Sequence, residues 1–281
     1  MDVSEMFDHI SNALVCLPGN NITEAATLGI PDPARAASQH RKYVYALQEC
    51  GIDVATVAAD PSLPQACLVG GMAVMTDRLA VIGNSSDTPL RQNAQQTIAA
   101  MLAGDRFLKF VTAPGLLDAE DVLRIGNHFY IALSDRTNQE GAAQLAFFLT
   151  EFGYEVTMLE QPGDCACRLN ASAAFLGRNT LLIREELARH FAFIDFKKII
   201  VPAHMRGVAA AMRINGTALL PAGYAEISAA IRENGIPVIE LNISEFEKIG
   251  GNVKNLSLRL RNAPESVQIK LCEYEKKAIA V

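Results

Sequence analysis

The stretch of greatest chemical interest is EKIGGNVKNLSLRL, residues 247–260. A double glycine, a short polar run and an alternating strand follow one another, an order typical of the place where an enzyme keeps its nucleophile. The polar candidates there are Lys254, Asn255 and Ser257, and the stretch contains no cysteine. Because an amide nitrogen is not a usable nucleophile at neutral pH, the segment has the form of a reactive site without its reactive group.

Elsewhere, the residues that could ligate a metal or bind phosphate form no strong motif. Cys165 and Cys167 make a C-x-C pair, which lacks the further ligands that zinc requires. The five histidines show no metal spacing, and we expect each at the surface or in a hydrogen bond. Gly70-Gly71 has no helix start behind it, so it is not a phosphate loop. We therefore expect no metal and no cofactor.

Composition narrows the class of protein further. The chain has 281 residues, 50% of them hydrophobic, and a net charge of -6, which argues against a nucleic-acid surface. No apolar run approaches the roughly 20 residues that span a membrane, and the first ten residues lack the features of a secretory signal. Six cysteines without a disulfide-framework spacing indicate thiols in a reducing cytoplasm.

Short apolar, β-branched runs alternate with helical segments along the whole chain. Apolar residues at three- and four-residue spacing predict helices at 33–50, 90–103, 138–152, 184–191 and 223–234. Hairpin-like strand pairs, such as 66–75 with 78–83, disfavour a doubly wound sheet. The order strand, strand, helix, strand recurs about five times, which predicts a single α/β domain over 1–261 and a peripheral C-terminal extension at 262–281.

Two segments carry a family resemblance. They are LLDAEDVLRIGNHFYIALSDRTNQEGAAQL (116–145) and LLPAGYAEISAAIRENGIPVIELNISEFEKIGGNVKNLSLRL (219–260), with weaker similarity over 32–75. Over residues 8 to 261 the chain resembles dimethylargininase, a member of the guanidine-modifying pentein superfamily. The resemblance implies a five-bladed α/β propeller of ββαβ units around a central channel. It also implies hydrolysis of methylated arginine by a cysteine nucleophile, a histidine base and a glutamate that orients the histidine.

The catalytic positions that this resemblance implies hold other residues in this chain. The cysteine position is Asn255, the histidine position is Arg168 and the glutamate position is Asp118. A guanidinium is not deprotonated in proteins, so Arg168 cannot serve as a base. We therefore expect that the chain has lost the family's hydrolytic chemistry.

Substrate recognition departs in the same direction. The family's V-E-D signature, whose carboxylates bind the cationic substrate, is Val69-Gly70-Gly71 here, and an acid slightly earlier is Gln65. Arg136 stands at the position that holds the substrate's carboxylate. With Arg168 and Lys254 added, we expect a basic pocket that suits an anion or zwitterion, and a ligand set of Arg136, Arg168, Asp118, Lys254 and Asn255.

Several residues admit two interpretations. Arg136 either binds a ligand carboxylate or belongs to a turn that caps helix 138–152, and both can hold. Glu120, where the family has glycine, is either a new pocket carboxylate or an exposed hairpin residue, and we expect it to be exposed. Residues 20–29 lie where the family has a lid, so they either close over a ligand or form a surface loop.

The sequence leaves three functional hypotheses. The first is a non-catalytic pentein that binds a small anionic or zwitterionic molecule, such as one with a carboxylate, or a protein partner, with a homodimer as one assembly. The second is a diverged enzyme in which Asp118 or Glu120 is the base and Arg136, Arg168 and Lys254 stabilise negative charge. The third is an ordinary hydrolase of the family with relocated residues, which needs both a shifted histidine loop and a substitute thiol, for which Cys165 and Cys167 are the candidates.

Overall fold

A computed structural model describes residues 9–84, 98–99, 106–160 and 168–260. Of the helix predicted at 90–103, only residues 98–99 are described, and both are helical. The pair Cys165 and Cys167 and the extension predicted at 262–281 lie outside the described residues.

Five three-stranded sheets make up the described fold, which confirms the predicted pentein-type propeller of ββαβ repeats. Their strand orders are β15-β1-β2, β3-β4-β5, β6-β7-β8, β9-β10-β11 and β12-β13-β14. The strands are β1 (Asn12–Cys16), β2 (Asp53–Val57), β3 (Ala73–Met75), β4 (Leu79–Ile82), β5 (Phe107–Phe110), β6 (Val122–Ile125), β7 (His128–Leu133), β8 (Glu155–Glu160), β9 (Ala173–Gly177), β10 (Thr180–Arg184), β11 (Lys197–Val201), β12 (Met212–Ile214), β13 (Thr217–Pro221), β14 (Val238–Leu241) and β15 (Leu258–Leu260).

Every sheet has the same internal connectivity. The first strand of each sheet pairs antiparallel with the middle strand, and the middle strand pairs parallel with the third. A parallel pair needs a crossover connection, which is why the longer described helices fall between the middle and third strands of their sheets. The helices are α1 (Pro33–Glu49), α2 (Gln139–Glu151), α3 (Leu169–Ser172), α4 (Ala225–Glu233) and α5 (Ser244–Glu247).

The long helices begin where their capping residues predict. Asp32 accepts a hydrogen bond from the Arg35 N–H, and Pro33 occupies the first position of α1. Asn138 accepts from the Gly141 N–H at the start of α2, as the sequence predicts. Each helix buries one apolar stripe against its sheet, and the buried apolar residues form five clusters.

Two predicted elements are wrong. The helix predicted at 184–191 is a series of turns at 185–189 followed by a 3-10 turn at Phe191–Phe193, and these bury Leu187 and Phe193 without a helical face. The strand predicted at 66–75 begins only at Ala73, because residues 69–71 form a 3-10 turn. There the Gly70 N–H donates to the Asn255 carbonyl at 2.8 Å, a contact outside the sheet.

The first strands of the five sheets surround a central cavity, which residues of β3, β6, β9, β12 and β15 line. Because the connectivity repeats, the chain enters all five of these inner strands from the same end of the channel. The segments that directly precede β3, β6, β9 and β15 therefore meet at that end. These segments contain the residues that the sequence singles out for chemistry.

Candidate functional site

Asp118 is fixed by its own turn. Its carboxylate accepts a hydrogen bond from the Glu120 N–H at 3.0 Å and so caps the 3-10 turn Ala119–Asp121 that precedes β6. Its backbone N–H donates to the Thr137 hydroxyl at 3.1 Å. Asp118 is 1% exposed, so its carboxylate is enclosed by protein.

Asp121 holds the neighbouring turn in place. It accepts hydrogen bonds from the hydroxyls of Ser134 at 2.6 Å and Thr137 at 2.9 Å. Burial is the main reason that the pKa of Asp121 is raised, and these two hydroxyl bonds oppose the shift. The turn at 134–137 thereby brings Arg136 against Asp118, so Asp121 supports the site through side-chain hydroxyls.

Arg168 forms the centre of an ion-pair network. Its Nε lies 3.3 Å from Asp118 Oδ2, and its Nη1 lies 3.1 Å from Glu120 Oε2. The guanidinium therefore bridges two carboxylates whose side chains are 0% and 5% exposed, while its own side chain is 26% exposed. Such a bridge satisfies charges that would be unfavourable if left alone in a buried place.

Arg136 reaches the same carboxylate from the other side. Its Nε lies 3.7 Å from Asp118 Oδ2, and its Nη1 lies 3.1 Å from Asp135 Oδ1. The Asp135 side chain is 77% exposed and the Arg136 side chain is 20% exposed. The side chain that caps α2 is that of Asn138. Arg136 contributes to the turn before the helix through its backbone N–H, which donates to the Ser134 hydroxyl.

Glu120 is the main correction to the sequence prediction. The residue expected to be exposed is 4% exposed, pairs with Arg168 and accepts a hydrogen bond from Asn255 Nδ2 at 3.2 Å. A Cβ on Gly71 would lie 2.8 Å from Glu120 Oε1 and 3.1 Å from its Cγ. Glu120 therefore fills the space beside Gly71, where the family resemblance places a substrate-binding acid.

Asn255, at the implied nucleophile position, is committed to structure. Its Oδ1 accepts from the Asn252 N–H at 2.8 Å, its N–H donates to Asn252 Oδ1 at 3.2 Å, and its Nδ2 donates to Glu120. Asn255 is 1% exposed. The side chain thus ties the turn before β15 to the turn before β6.

Backbone carbonyls hold the Lys254 ammonium. Its Nζ donates to the carbonyls of Asn170 at 2.7 Å and Ala173 at 2.6 Å, at the start of β9. The pKa of Lys254 is lowered well below its ordinary value, first by burial and then by the Arg259 charge, while Glu120 opposes the shift.

The charges at this end of the channel balance. Asp118 and Glu120 pair with Arg136 and Arg168, so the basic pocket predicted from Arg136, Arg168 and Lys254 is wrong. The expectation failed because it placed Glu120 outside the site. In the sequence, the one signal of this arrangement is that a glycine replaces the family's acid at position 71 while a glutamate replaces the family's glycine at position 120.

Of the described thiols, Cys67 belongs to the segment before β3, and the other two lie elsewhere in the sequence. Cys16 is on β1, Cys50 follows α1 and Cys67 precedes the turn at Val69–Gly71, and burial raises the pKa of each thiol. Within residues 9–84, 98–99, 106–160 and 168–260, no group of three His, Cys, Asp or Glu side chains could hold a metal ion.

The segment predicted as a lid or loop contains a 3-10 turn at Asn20–Ala25. The N–H groups of Thr27 and Leu28 both donate to the Lys248 carbonyl, at 3.0 and 2.9 Å. The Leu28 and Ile30 residues are 82% and 75% exposed. Whether this segment closes over a ligand stays a prediction.

Comparisons with known proteins agree with the fold and extend it to a family. No protein-family model matches the chain. The N(G),N(G)-dimethylarginine dimethylaminohydrolase of Pseudomonas aeruginosa is 33% identical over 262 residues, which make up 90% of this chain and 100% of the relative. A protein of the same name from Streptomyces coelicolor is 26% identical over 257 residues, 89% of this chain and 96% of the relative.

Solved structures give the same result. The Pseudomonas aeruginosa enzyme, as a cysteine-to-serine variant complexed with citrulline, has a TM-score of 0.82 at 30% identity, covering 90% of this chain and 100% of its own. The N-terminal domain of a cyanobacterial arginine dihydrolase has a TM-score of 0.75 at 18% identity, covering 89% of this chain and 98% of its own, which shows a shared fold. Among the described helices, none is long and apolar enough to cross a membrane. With a third of its residues identical to the Pseudomonas relative over nearly its whole length, the chain belongs to the dimethylarginine dimethylaminohydrolase family.

Proposed function

We propose that this chain is a family member that does not hydrolyse guanidino compounds and that binds a small carboxylate-bearing zwitterion at the former catalytic end of the channel. One observation carries the proposal: the Arg168 guanidinium lies between Asp118 and Glu120, and Glu120 in turn accepts a hydrogen bond from Asn255. The chain thus supplies its own guanidinium to the carboxylates of this site.

The residues at the implied catalytic positions support the loss of hydrolysis. Attack on a guanidinium carbon needs a nucleophile and a group that moves its proton. The implied nucleophile position holds an amide, and the implied base position holds an arginine, which stays protonated. A cationic substrate would also meet two arginines, with both buried carboxylates already paired.

Arg136 supports the binding of a carboxylate. Its pair with Asp135 is exposed on the aspartate side, and exposed ion pairs contribute only about 0 to 1 kcal/mol. A ligand carboxylate can therefore replace Asp135 at little cost. Apart from the carboxylate and the ammonium that make it a zwitterion, the ligand should be uncharged, since Asp118 and Glu120 already pair with Arg168 and offer no acid for a second cation.

The cellular place of this activity is also a proposal. The six cysteines without a disulfide-framework spacing support a reducing cytoplasm.

The competing hypothesis of a diverged enzyme with Asp118 as its base gains no support, because Asp118 is enclosed and holds two arginines.

The test has a turnover arm and a binding arm. Purified protein is incubated with dimethylarginine and with arginine, and citrulline is measured; we expect none above the protein-free control. If the wild-type protein forms citrulline and Cys165→Ser or Cys167→Ser does not, the loss of hydrolysis is refuted and a relocated thiol is supported.

The binding arm uses calorimetry with citrulline, an uncharged-tail zwitterion, and with arginine. We expect citrulline to bind more tightly than arginine and Arg136→Gln to weaken citrulline binding at least tenfold. The matched control is Arg41→Gln, which removes the same charge from an exposed position on α1. Equal binding of citrulline by wild type and Arg136→Gln contradicts the proposed role of Arg136.

A further inference from the structure

A second cavity lies beside the channel, against the carboxyl ends of β1 and β2. Its volume is about 300 Å³. The residues that line it come from these strand ends and from the segment before β3, and they include Cys16, Val57, Leu63, Ala66, Val69 and Met72. None of these six belongs to the ion pairs of the candidate site. The zwitterion proposed at Arg136 therefore leaves this cavity free.

The walls of the cavity are apolar. All six residues belong to one hydrophobic cluster, four of them buried and two, Val57 and Leu63, partly buried. The Cys16 thiol donates to the Ala58 carbonyl at 3.4 Å. Burial is the main reason that the pKa of this thiol is raised to about 12, so Cys16 is neutral near pH 7. The cavity therefore offers a molecule apolar contacts and no buried charge.

The rim is open and carries a negative charge. Ala58 and Pro61 are exposed, so molecules can enter from solvent there. Asp60 is the one charged residue among the described lining residues, and it accepts hydrogen bonds from the Ser62 N–H at 2.8 Å and hydroxyl at 2.6 Å. These bonds lower the pKa of Asp60, which keeps it ionised, and its charge helps to raise the pKa of Cys16. The rim thus repels anions, while the apolar walls disfavour burial of any charge.

Backbone hydrogen bonds hold the walls in shape. The Leu17 N–H donates to the Val57 carbonyl at 2.9 Å, which continues the pairing of β1 with β2. In the segment before β3, the Leu63 N–H donates to the Asp60 carbonyl at 3.1 Å and the Ala66 N–H to the Leu63 carbonyl at 3.0 Å. A cavity bounded by such turns is formed before a ligand arrives, as in most small-molecule sites.

The turn Val69–Gly71 separates this cavity from the candidate site. Val69 lines the apolar cavity, Gly70 lines the central channel, and a Cβ on Gly71 would lie 2.8 Å from Glu120 Oε1. Successive residues of one turn therefore face different spaces. A molecule in the apolar cavity would lie behind the turn and not among the ion pairs.

We propose that this cavity is a second binding site, which takes a small, uncharged, apolar molecule of the size of a bicyclic aromatic ring. An apolar cavity of about 150 Å³ is large enough for benzene, and small-molecule sites begin at about 300 Å³. The volume of this cavity reaches that lower limit. Burial of the ligand against the six wall residues supplies the attraction, since removing apolar surface from water is favourable.

The test titrates the full-length protein with indole, an uncharged bicyclic molecule, and with indole-3-carboxylate, its anionic analogue, by calorimetry. We expect indole to bind saturably and at least tenfold more tightly than indole-3-carboxylate. Ala66→Leu places a larger side chain in the cavity and should weaken indole binding at least tenfold. The matched control is Ala34→Leu, the same change at an exposed position on α1, which should bind indole as wild type does.

NMR of methyl groups locates the ligand in the wild-type protein, so the test stays decisive if Ala66→Leu does not fold. Indole should shift the methyl resonances of Val57, Leu63 and Val69, and should leave those of Leu145 and Ile231, in other clusters, unchanged. The proposal is overturned if indole does not bind saturably, if the anionic analogue binds equally tightly, or if the shifted methyl groups lie outside the cavity. Wild-type affinity in folded Ala66→Leu also overturns it.

Discussion

Replacing Arg168 by glutamine removes the cation that bridges Asp118 and Glu120. Both acids keep weaker partners: Arg136 Nε remains 3.7 Å from Asp118, the Glu120 N–H still donates to Asp118, and Asn255 still donates to Glu120. The lost contacts are the shorter ones, at 3.3 and 3.1 Å. We expect Arg168→Gln to destabilise the fold strongly.

The magnitude follows from how deeply the partners are buried. Removing one member of a buried ion pair costs about 3 to 5 kcal/mol, because the remaining charge is left without compensation. The Arg168 side chain is 26% exposed, so water can partly replace it, and we expect the lower end of that range. A loss of about 3 kcal/mol corresponds to a decrease of roughly 6 to 12 °C in Tm for a chain of about this size.

The assay is urea and thermal unfolding followed by circular dichroism. The matched control is Arg232→Gln, which breaks the Arg232–Glu240 pair of similar length, 3.2 Å, between side chains that are 51% and 32% exposed. We expect this control to cost less than about 1 kcal/mol. The double variant Arg168→Gln with Glu120→Gln should recover part of the loss. If Arg168→Gln costs no more than Arg232→Gln, the guanidinium does not neutralise the buried acids.

Three more outcomes follow from the structure. Gly71→Ala should lower the free energy of unfolding in urea by about 1 to 3 kcal/mol, because the new Cβ would lie 2.8 Å from Glu120 Oε1. The control Gly29→Ala should be near neutral, since its Cβ would lie at an ordinary 3.4 Å from the Lys248 Cγ. Burial lowers the pKa of His40 from its ordinary value of 6.5 to about 4, so the folded state disfavours the charged form. The free energy of unfolding should therefore fall by about 3 kcal/mol as the pH drops from 6.5 toward 4. Urea unfolding of His40→Gln across this pH range should show no such dependence. The pKa of Lys254 is also lowered, so the unfolded state binds its proton more readily; stability should rise as the pH increases toward the ordinary lysine value of 10.5, with a smaller slope in Lys254→Met.

Much of the fold could be predicted from periodicity because the order strand, strand, helix, strand recurs about five times in the sequence. The helices at 33–50, 138–152 and 223–234 appear within two residues of their predicted ends, since caps and C-terminal glycines mark them. The prediction at 184–191 failed because an apolar spacing typical of a helix can also be buried by successive turns. Pattern alone cannot distinguish the two when the crossover is short.

The histidines illustrate the same limit for single residues. Surface or hydrogen-bonded positions were expected for all five, and His40 takes the buried alternative: it is 1% exposed, hydrogen-bonds the Cys16 backbone and packs beside Tyr43 and Phe246. A histidine on the buried face of an amphipathic helix has no sequence mark that distinguishes it from one on the exposed face next to it. Only the phase of α1 against its sheet decides this.

The candidate site could be predicted position by position but not as a whole. Asp118, Arg136, Arg168 and Asn255 were each identified, and the first three meet directly, while Asn255 joins them through Glu120. What the sequence could not show was that positions 71 and 120, about fifty residues apart, compete for one volume. Considered separately, glycine at position 71 removes an acid that the family has there, and glutamate at position 120 adds an acid where the family has glycine. With Glu120 taken as exposed, these two differences predict a basic pocket. Considered as one space, they describe an acid transferred from one turn to its neighbour, where it binds the chain's own arginine. The sign of the charge at this end of the channel therefore depends on which backbone carries a carboxylate, and that is a property of the packing.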